Sequence, residues 1–341
     1  MKAIVMTGYG GPEKAEIQDL PEVEMTARDV KVKVHAASLN PVDWKIREGH
    51  LKRAIQLTFP RIMGQDMAGV VTEVGMRARN LKVGDRVYAR VNHLKMGTLA
   101  EYVSVEKTDV AAMPESLSFE ESASIPLVGL TAWQVIVEIM KLEQGQSIFI
   151  HSGSGGVGTF AIQLAKHLGA TVTTTASAGN HALLKELGAD DVIDYTQSDY
   201  AEKGPVYDAV FAIRGDEDLE KSFKLVKPGG IVVGITGLPD DIYAQKRGMG
   251  FIARMFLRYA NRKITALAAE AQATYRFHAL DPSEAQLRRI AELIDSGEIK
   301  PIIDTVYPFE DFAKAFEQLE DGHVKGKVVI QIAAESEEKE A

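Results

Sequence analysis

The sequence predicts a two-domain α/β protein, one domain a β-rich, partly closed barrel and the other a doubly wound parallel sheet. Three observations carry this. Through residue 125 short apolar runs alternate with Gly, Pro and Asp turns, a spacing that suits a barrel better than a sandwich. From residue 126 strand and helix patterns alternate, as repeated βαβ units do. The chain has 341 residues, too many for one compact core of ordinary size.

The elements follow in order. Met1–Met6 reads as a short opening strand and lacks the apolar stretch and cleavage site of a signal peptide, so the expected compartment is the cytoplasm. Strands are predicted at Val30–Val34, Ala68–Val74, Asp85–Ala89 and Ala100–Val105. Gly84-Asp85 is read as a turn between flanking strands. In the second domain, strands are predicted at Ser147–His151, Ala170–Thr175, Asp191–Asp194, Tyr207–Ile213 and Ile231–Ile235. Helices are predicted at Thr159–Leu168, His181–Leu187 and Leu219–Val226. After residue 275 the chain is expected to return to the first domain. Ser283-Glu284-Ala285-Gln286 is a capping-box pattern opening a helix that Gly297 stops. Phe309, Phe312, Phe316 and Leu319 mark a second helix, Lys327–Ile332 a closing strand, and the charged residues Ala334–Ala341 a disordered end. The expected division is therefore 1–125 with 275–341, and 126–274.

Composition narrows the function. There is no cysteine, which excludes disulfides and any thiolate zinc site. A net charge of −9 argues against nucleic acid as a partner. No apolar run approaches the roughly 18 residues that a membrane span needs, so no integral membrane segment is expected. None of the histidines has metal-ligand spacing, and each is read as a surface or packing residue.

The strongest chemical signal is Gly153-Ser154-Gly155-Gly156-Val157-Gly158. Gly153, Gly155 and Gly158 satisfy G-x-G-x-x-G directly after a predicted strand and at the start of a helix, the context that makes this pattern a dinucleotide site. Gly153 is assigned to the tight turn, Gly155 to close approach of a pyrophosphate and Gly158 to helix–strand packing. Exposed N–H groups at the helix start would face the phosphates. The alternative is a turn without a ligand, but four glycines in six residues are costly unless used.

The end of the second strand selects the cofactor. An NAD enzyme places a carboxylate there for the ribose 2′-OH. This chain has Thr175-Ala176-Ser177-Ala178-Gly179-Asn180, with no acid. Ser177 and Asn180 can donate to a 2′-phosphate, which points to NADPH, and Lys185 either adds charge or is a plain solvated helix residue. The same two residues could instead cap the following helix.

Together these segments resemble the quinone oxidoreductase and alkenal reductase branch of the medium-chain dehydrogenase/reductase superfamily over about residues 1–332. The resemblance rests on Asn40-Pro41-Val42-Asp43-Trp44-Lys45, Gly64-Gln65-Asp66-Met67-Ala68-Gly69, Gly84-Asp85-Arg86-Val87, Gly97-Thr98, Gly129-Leu130-Thr131-Ala132 and Gly326-Lys327-Val328-Val329. It implies a GroES-like catalytic domain built from both termini, a central Rossmann domain and an active site in the cleft between them. It implies hydride transfer to a quinone or to the β-carbon of an enone or enal, and often a homodimer. It also implies that Thr131 lies near the nicotinamide and Lys327 near the cofactor phosphates or the nicotinamide ribose. At the places where zinc-dependent relatives hold the metal, the matching residues here are Asn40, Gln65 and Leu127, which form no plausible zinc ligand set. The tyrosine that some zinc-free relatives carry is matched by Leu51 or Lys45, so a tyrosine general acid at either place is excluded.

Asn40 and Lys45 are accordingly the candidate catalytic residues. Asn40 would donate to a carbonyl oxygen, and Lys45 would stabilise or protonate an enolate. Asp43 is assigned mainly to the local turn and Trp44 to the core. Alternative functions are reduction of enoyl thioesters or ketones, and a non-catalytic, crystallin-like or regulatory NADPH-binding protein. Gln245–Lys263 is read as one helix with Ile252, Met255, Phe256 and Tyr259 on one face and Arg247, Arg254, Arg258 and Arg262 on another. The plain reading of that helix is a solvated basic surface. The sharper one is a flap over the cleft or an anionic docking surface.

Overall fold

The computed structural model describes residues 1–52, 55–78 and 80–333. The charged end 334–341, expected to be disordered, lies outside the described residues. The chain forms two compact units, Met1–Leu130 with Asp281–Ala341, and Thr131–Leu280.

In the first unit the strand Asp29–Leu39 is the organiser. Val30, Val32 and Val34 alternate with Lys31 and Lys33, and the valines are fully buried, the period of a half-buried strand. Around it runs a sheet in the order Ile303–Pro308, Lys327–Gln331, Asp29–Leu39, Asp66–Val74, Arg86–Arg90 and Val110–Ala112, with Tyr102–Glu106 also paired to the organiser. All these pairs are antiparallel except Ile303–Pro308 with Lys327–Gln331. A second sheet joins Ala15–Asp19, Lys2–Met6 and Arg61–Ile62. One local expectation fails here. Residues 81–83 form no strand, and Gly84, at φ +90°, turns directly into Arg86–Arg90. Asp85 closes that turn by accepting the Lys82 N–H at 2.9 Å, so the segment before it is held by the turn and not by a ladder.

The second unit is a six-stranded, all-parallel sheet. Its order is Asp191–Asp194, Thr171–Ala176, Ser147–Ile150, Tyr207–Ala212, Val226–Gly234 and Thr274–Phe277. Counted in chain order this is 3-2-1-4-5-6, the Rossmann arrangement, whose ligand crevice lies outside the carboxyl ends where the order reverses. The central strands are buried on both faces, with Phe149, Val210, Phe211 and Val232 fully enclosed, as a helix-covered parallel sheet requires. His151 is packed inside, bonded to Ser222 at 2.9 Å, and burial pushes its pKa down to about 4. His278 is likewise buried against Gln134 at 2.8 Å.

The segment read as one helix over Gln245–Lys263 is three shorter ones, Asp241–Lys246, Phe251–Ala260 and Arg262–Glu270. Gly248, at φ +67°, ends the first turn-bearing stretch, a conformation that a helix interior cannot hold. Arg247 therefore lies off the helix that carries Arg254 and Arg258. Nor are those two simply solvated: both close on the carboxylate of Asp241, Arg254 in bidentate fashion at 2.8 and 3.0 Å and Arg258 at 2.6 Å. No helix among the described residues is long and apolar enough to cross a membrane.

Candidate cofactor and active site

The glycine turn is built at the carboxyl end of Ser147–Ile150. Ser152 donates its N–H to Thr175 Oγ1 at 3.1 Å, and Gly153 donates to the Thr175 carbonyl at 3.0 Å, so the turn is tied to the neighbouring strand. The left-handed backbone falls on Ser152, at φ +54°, and not on Gly153, to which the tight turn was assigned. Gly153 is required for a different reason: a Cβ there would lie 2.3 Å from Thr174 Oγ1. Gly158 packs as expected, since its Cβ would meet the Ser152 carbonyl oxygen at 2.3 Å and Gly153 Cα at 2.7 Å. Gly155 differs from both. A Cβ on it would meet nothing nearer than 3.6 Å. The protein itself gives no steric reason for glycine there, and the open space beside it suits a phosphate.

Gly155 is the N-cap of the helix Gly156–His167, and its carbonyl accepts the first intrahelical bond from Thr159 at 2.9 Å. The N–H groups of Gly156, Val157 and Gly158 precede that bond, so the helix cannot satisfy them. Three donors and the positive end of a 12-residue helix dipole thus converge where the turn is open.

Thr174 and Ile150 are register partners, so the end of the second strand stands beside the turn. The strand ends at Ala176. Ser177 is half-buried, and neither it nor Asn180 makes a side-chain capping bond. Asn180 donates weakly to Ser177 Oγ at 3.4 Å, and its own Oδ1 is buried without a partner among the described residues. A buried amide oxygen left unpaired in the protein is open to a donor from outside it. The capping alternative therefore loses its bonds, and the free oxygen can accept from a hydroxyl such as that of a ribose, while the Ser177 hydroxyl can donate. Lys185 does not reach this place, because its ammonium is spent on the Asp190 carbonyl. Thr131 is buried on the helix Pro126–Trp133.

In the first unit three of the quoted motifs, those at Asn40, Gln65 and Lys327, meet in one buried polar cluster. Asn40 ends the organiser strand and caps the helix Pro41–Arg47, with Asp43 Oδ2 accepting the Asn40 N–H at 2.8 Å. Asp43 thus serves the turn, as assigned. Its other oxygen accepts from Gln65 Nε2 at 3.1 Å, and Gln65 Oε1 accepts from Arg90 at 2.7 Å. Asp66 sits opposite Ser38 in the ladder. Its carboxylate accepts from Ser38 Oγ at 3.2 Å, Asn40 Nδ2 at 2.9 Å and the Leu127 N–H at 3.0 Å. Lys327 donates to Asn40 Oδ1 at 2.6 Å and to the Leu39 carbonyl at 2.7 Å, and stands 3.6 Å from Asp66.

This geometry changes two assignments. Asn40 is 1% exposed and spans Asp66 and Lys327, so its amide is tied into the scaffold and is not a free donor for a carbonyl oxygen. Lys327 is 5% exposed and bonded within its own unit, an environment unlike that of a lysine reaching for phosphate. Lys45 lies apart from the cluster, half-buried, with its ammonium 5.5 Å over the Trp44 ring. Trp44 packs against the core, as read. Asp66 and Arg90 were missed as cluster members. The available signal was a charge directly beside an apolar run in each of two strands, Asp66 before Met67–Val71 and Arg90 after Val87–Ala89.

Two carboxylates and two cations balance in this cluster, but burial acts on all four. It pushes Asp43 up to about 6, aided by the charge of Asp66, and raises Asp66 against the pull of Lys327. It lowers Lys327 against the opposing pull of Asp66 and Asp43, and it lowers Arg90. Each charge is therefore held by its partners and by little else.

Comparison with known proteins agrees with both halves. Residues 26–115 match the alcohol dehydrogenase GroES-like domain family, and residues 187–330 match the zinc-binding dehydrogenase family. A 2-methylene-furan-3-one reductase of Solanum lycopersicum is 37% identical, covering 97% of this chain and 79% of the relative. An NADPH-dependent alkenal/one oxidoreductase, chloroplastic, of Arabidopsis thaliana is 36% identical over the same shares, 97% and 79%. The solved quinone oxidoreductase from Coxiella burnetii superposes with a TM-score of 0.85 at 32% identity, covering 98% of this chain and 99% of that one. A nicotinamide-binding Rossmann unit, a GroES-like unit and relatives of this identity along the whole length leave one assignment: the chain belongs to the medium-chain dehydrogenase/reductase superfamily, in its quinone oxidoreductase and alkenal reductase branch, and is an oxidoreductase.

Proposed function

We propose that the protein transfers hydride from NADPH to a quinone or to the β-carbon of an α,β-unsaturated carbonyl, without zinc. The observation that carries this reading is the Asn40–Lys327 bond at 2.6 Å. Two of the three residues matching zinc-ligand places, Asn40 and Gln65, are amides bonded to buried carboxylates, and the third is Leu127. Amide and aliphatic side chains do not make a zinc site, and the cation beside Asn40 is an ammonium. A saturated ketone needs its carbonyl polarised by a metal ion or by a positioned general acid, whereas a quinone or an enone is electrophilic already. Relatives named for furanone, alkenal/one and quinone reduction support the same class.

NADPH supplies the hydride when bound; Gly153 to Gly158 would hold its pyrophosphate and Ser177 with Asn180 its 2′-phosphate. Thr131 is assigned to the nicotinamide side. Lys45 is the nominated donor toward negative charge developing on the acceptor oxygen. Asn40 acts through the scaffold, by holding Asp66 and Lys327.

The test is NADPH oxidation over a panel of quinone, enone, enoyl thioester and saturated ketone, with and without chelator. Turnover of quinone or enone that the chelator leaves unchanged is expected. Turnover of the saturated ketone that depends on added zinc would overturn the reading.

Two variants probe the parts. Ser177→Asp is expected to shift cofactor preference toward NADH by on the order of tenfold or more, because a carboxylate repels the 2′-phosphate. Equal affinity of the unaltered protein for both cofactors, measured by titration, would remove the basis for this. Lys45→Met is expected to lower kcat for an enone about tenfold, below the usual cost of losing such a donor because Lys45 is partly exposed, with NADPH affinity retained. Unchanged kcat across good acceptors would make Lys45 a bystander.

A further inference from the structure

The helix Phe251–Ala260 turns its apolar side outward. Phe251, Ile252, Met255, Phe256 and Tyr259 are 71%, 83%, 54%, 65% and 66% exposed, while Leu257 is 7% exposed. At 100° per residue those five side chains occupy an arc of about 140°, with Leu257 opposite its centre. The outward orientation is fastened. Asp241 grips Arg254 and Arg258, and Asn261 Nδ2 donates to the Pro239 carbonyl at 2.8 Å. Scattered exposed apolar residues need no explanation, but five on one helix face form a contiguous patch of the kind that marks an interaction surface.

Charge selects the occupant. The chain carries −9 overall, yet residues 240–263 hold six Lys and Arg against two Asp, and with Glu220 paired to Lys263 an excess of three positive charges remains. Pairing this face with itself about a two-fold axis would bring that excess against its own copy. An anionic bilayer meets both features, with headgroups for the cations and the acyl boundary for the aromatic and aliphatic side chains.

We propose that the Phe251–Ala260 helix docks the protein peripherally on an anionic lipid surface. The apolar arc enters the interface, and Arg247 and Arg262, which flank the helix, meet the headgroups. The net negative charge elsewhere keeps the rest of the molecule off the same surface and explains why only this face binds. The proposal stands on this helix alone and is independent of which acceptor is reduced.

The test is flotation of the full-length protein with vesicles of phosphatidylcholine alone or mixed with phosphatidylglycerol. Binding to the mixed vesicles only is expected, weakening as salt is raised. Ile252→Gln with Phe256→Gln, both at exposed positions, is expected to reduce partition on the order of tenfold or more. Arg247→Gln with Arg262→Gln is expected to reduce it about fivefold per charge. Both double variants should keep the melting temperature and NADPH oxidation of the parent. No binding of the parent to phosphatidylglycerol vesicles would overturn the proposal, as would equal binding by the Ile252/Phe256 variant. A concentration-dependent dimer in sedimentation that this variant abolishes, with no vesicle binding, would assign the face to a second copy instead.

Discussion

Lys327→Met is expected to destabilise the protein by about 3–5 kcal/mol, the usual cost of breaking a buried ion pair from one side. Its ammonium is the cation nearest Asp66 and also holds Asn40 and the Leu39 carbonyl. Without it, two buried carboxylates face Arg90 alone, and Arg90 already leaves Nε and Nη1 without partners among the described residues. The loss carries a pH signature. Asp43 and Asp66 have folded-state pKa values above their ordinary ones. Stability from such a group is fully present below the unfolded pKa and is lost as pH rises through the folded one. Removing Lys327 raises both folded values further, so the deficit of the variant should shrink as pH falls from about 8 to about 5. Asp66→Asn added to Lys327→Met should recover part of the loss, a coupling that thermal melts of the cycle would measure. A deficit that is independent of pH and unaffected by Asp66→Asn would mean that Lys327 contributes packing only.

Gly158→Ala is expected to abolish tight cofactor binding, with affinity falling on the order of a hundredfold, or about 2.7 kcal/mol. The added methyl would lie 2.3 Å from the Ser152 carbonyl oxygen and 2.7 Å from Gly153 Cα. Both are backbone atoms, so the turn itself must open and the helix must move off the strand. Such overpacking also lowers stability, by about 1–3 kcal/mol. Gly155→Ala separates the two effects. Its methyl meets nothing nearer than 3.6 Å in the protein, so stability should fall by no more than the roughly 1 kcal/mol of an N-cap change while affinity falls. Fluorescence titration with NADPH beside thermal melts reads both variants. If Gly155→Ala binds as tightly as the parent, the open space beside Gly155 is not the phosphate site.

The helix 241–270 region shows where periodicity misleads. Arginine spacing suggested one basic face, but Gly248 breaks the helix and Asp241, close in sequence but on the preceding helix, claims Arg254 and Arg258. The apolar face, which one would assign to the core, is the one left outside. Hydrophobic patterning locates a face; it does not say which neighbour is available to cover it.

By itself the sequence determined most of the elements of the second unit, the parallel sheet with its glycine-rich turn, and the lack of an acid after Thr171–Ala176. These are local properties: periodicity, glycine placement and side-chain charge act over one or two elements at a time. Only the tertiary structure decided that Asn40, Asp43, Gln65, Asp66, Arg90 and Lys327 are one cluster. They come from segments up to 287 residues apart, as in the Lys327–Asn40 bond, and each alone reads as a turn, a polar strand residue or a solvated cation. The same contacts removed Asn40 from the role of free donor and placed Lys327 inside the first unit. The physical reason is that burial is set by long-range packing, and burial decides whether a polar side chain is a scaffold group bound by its partners or a free group open to a ligand.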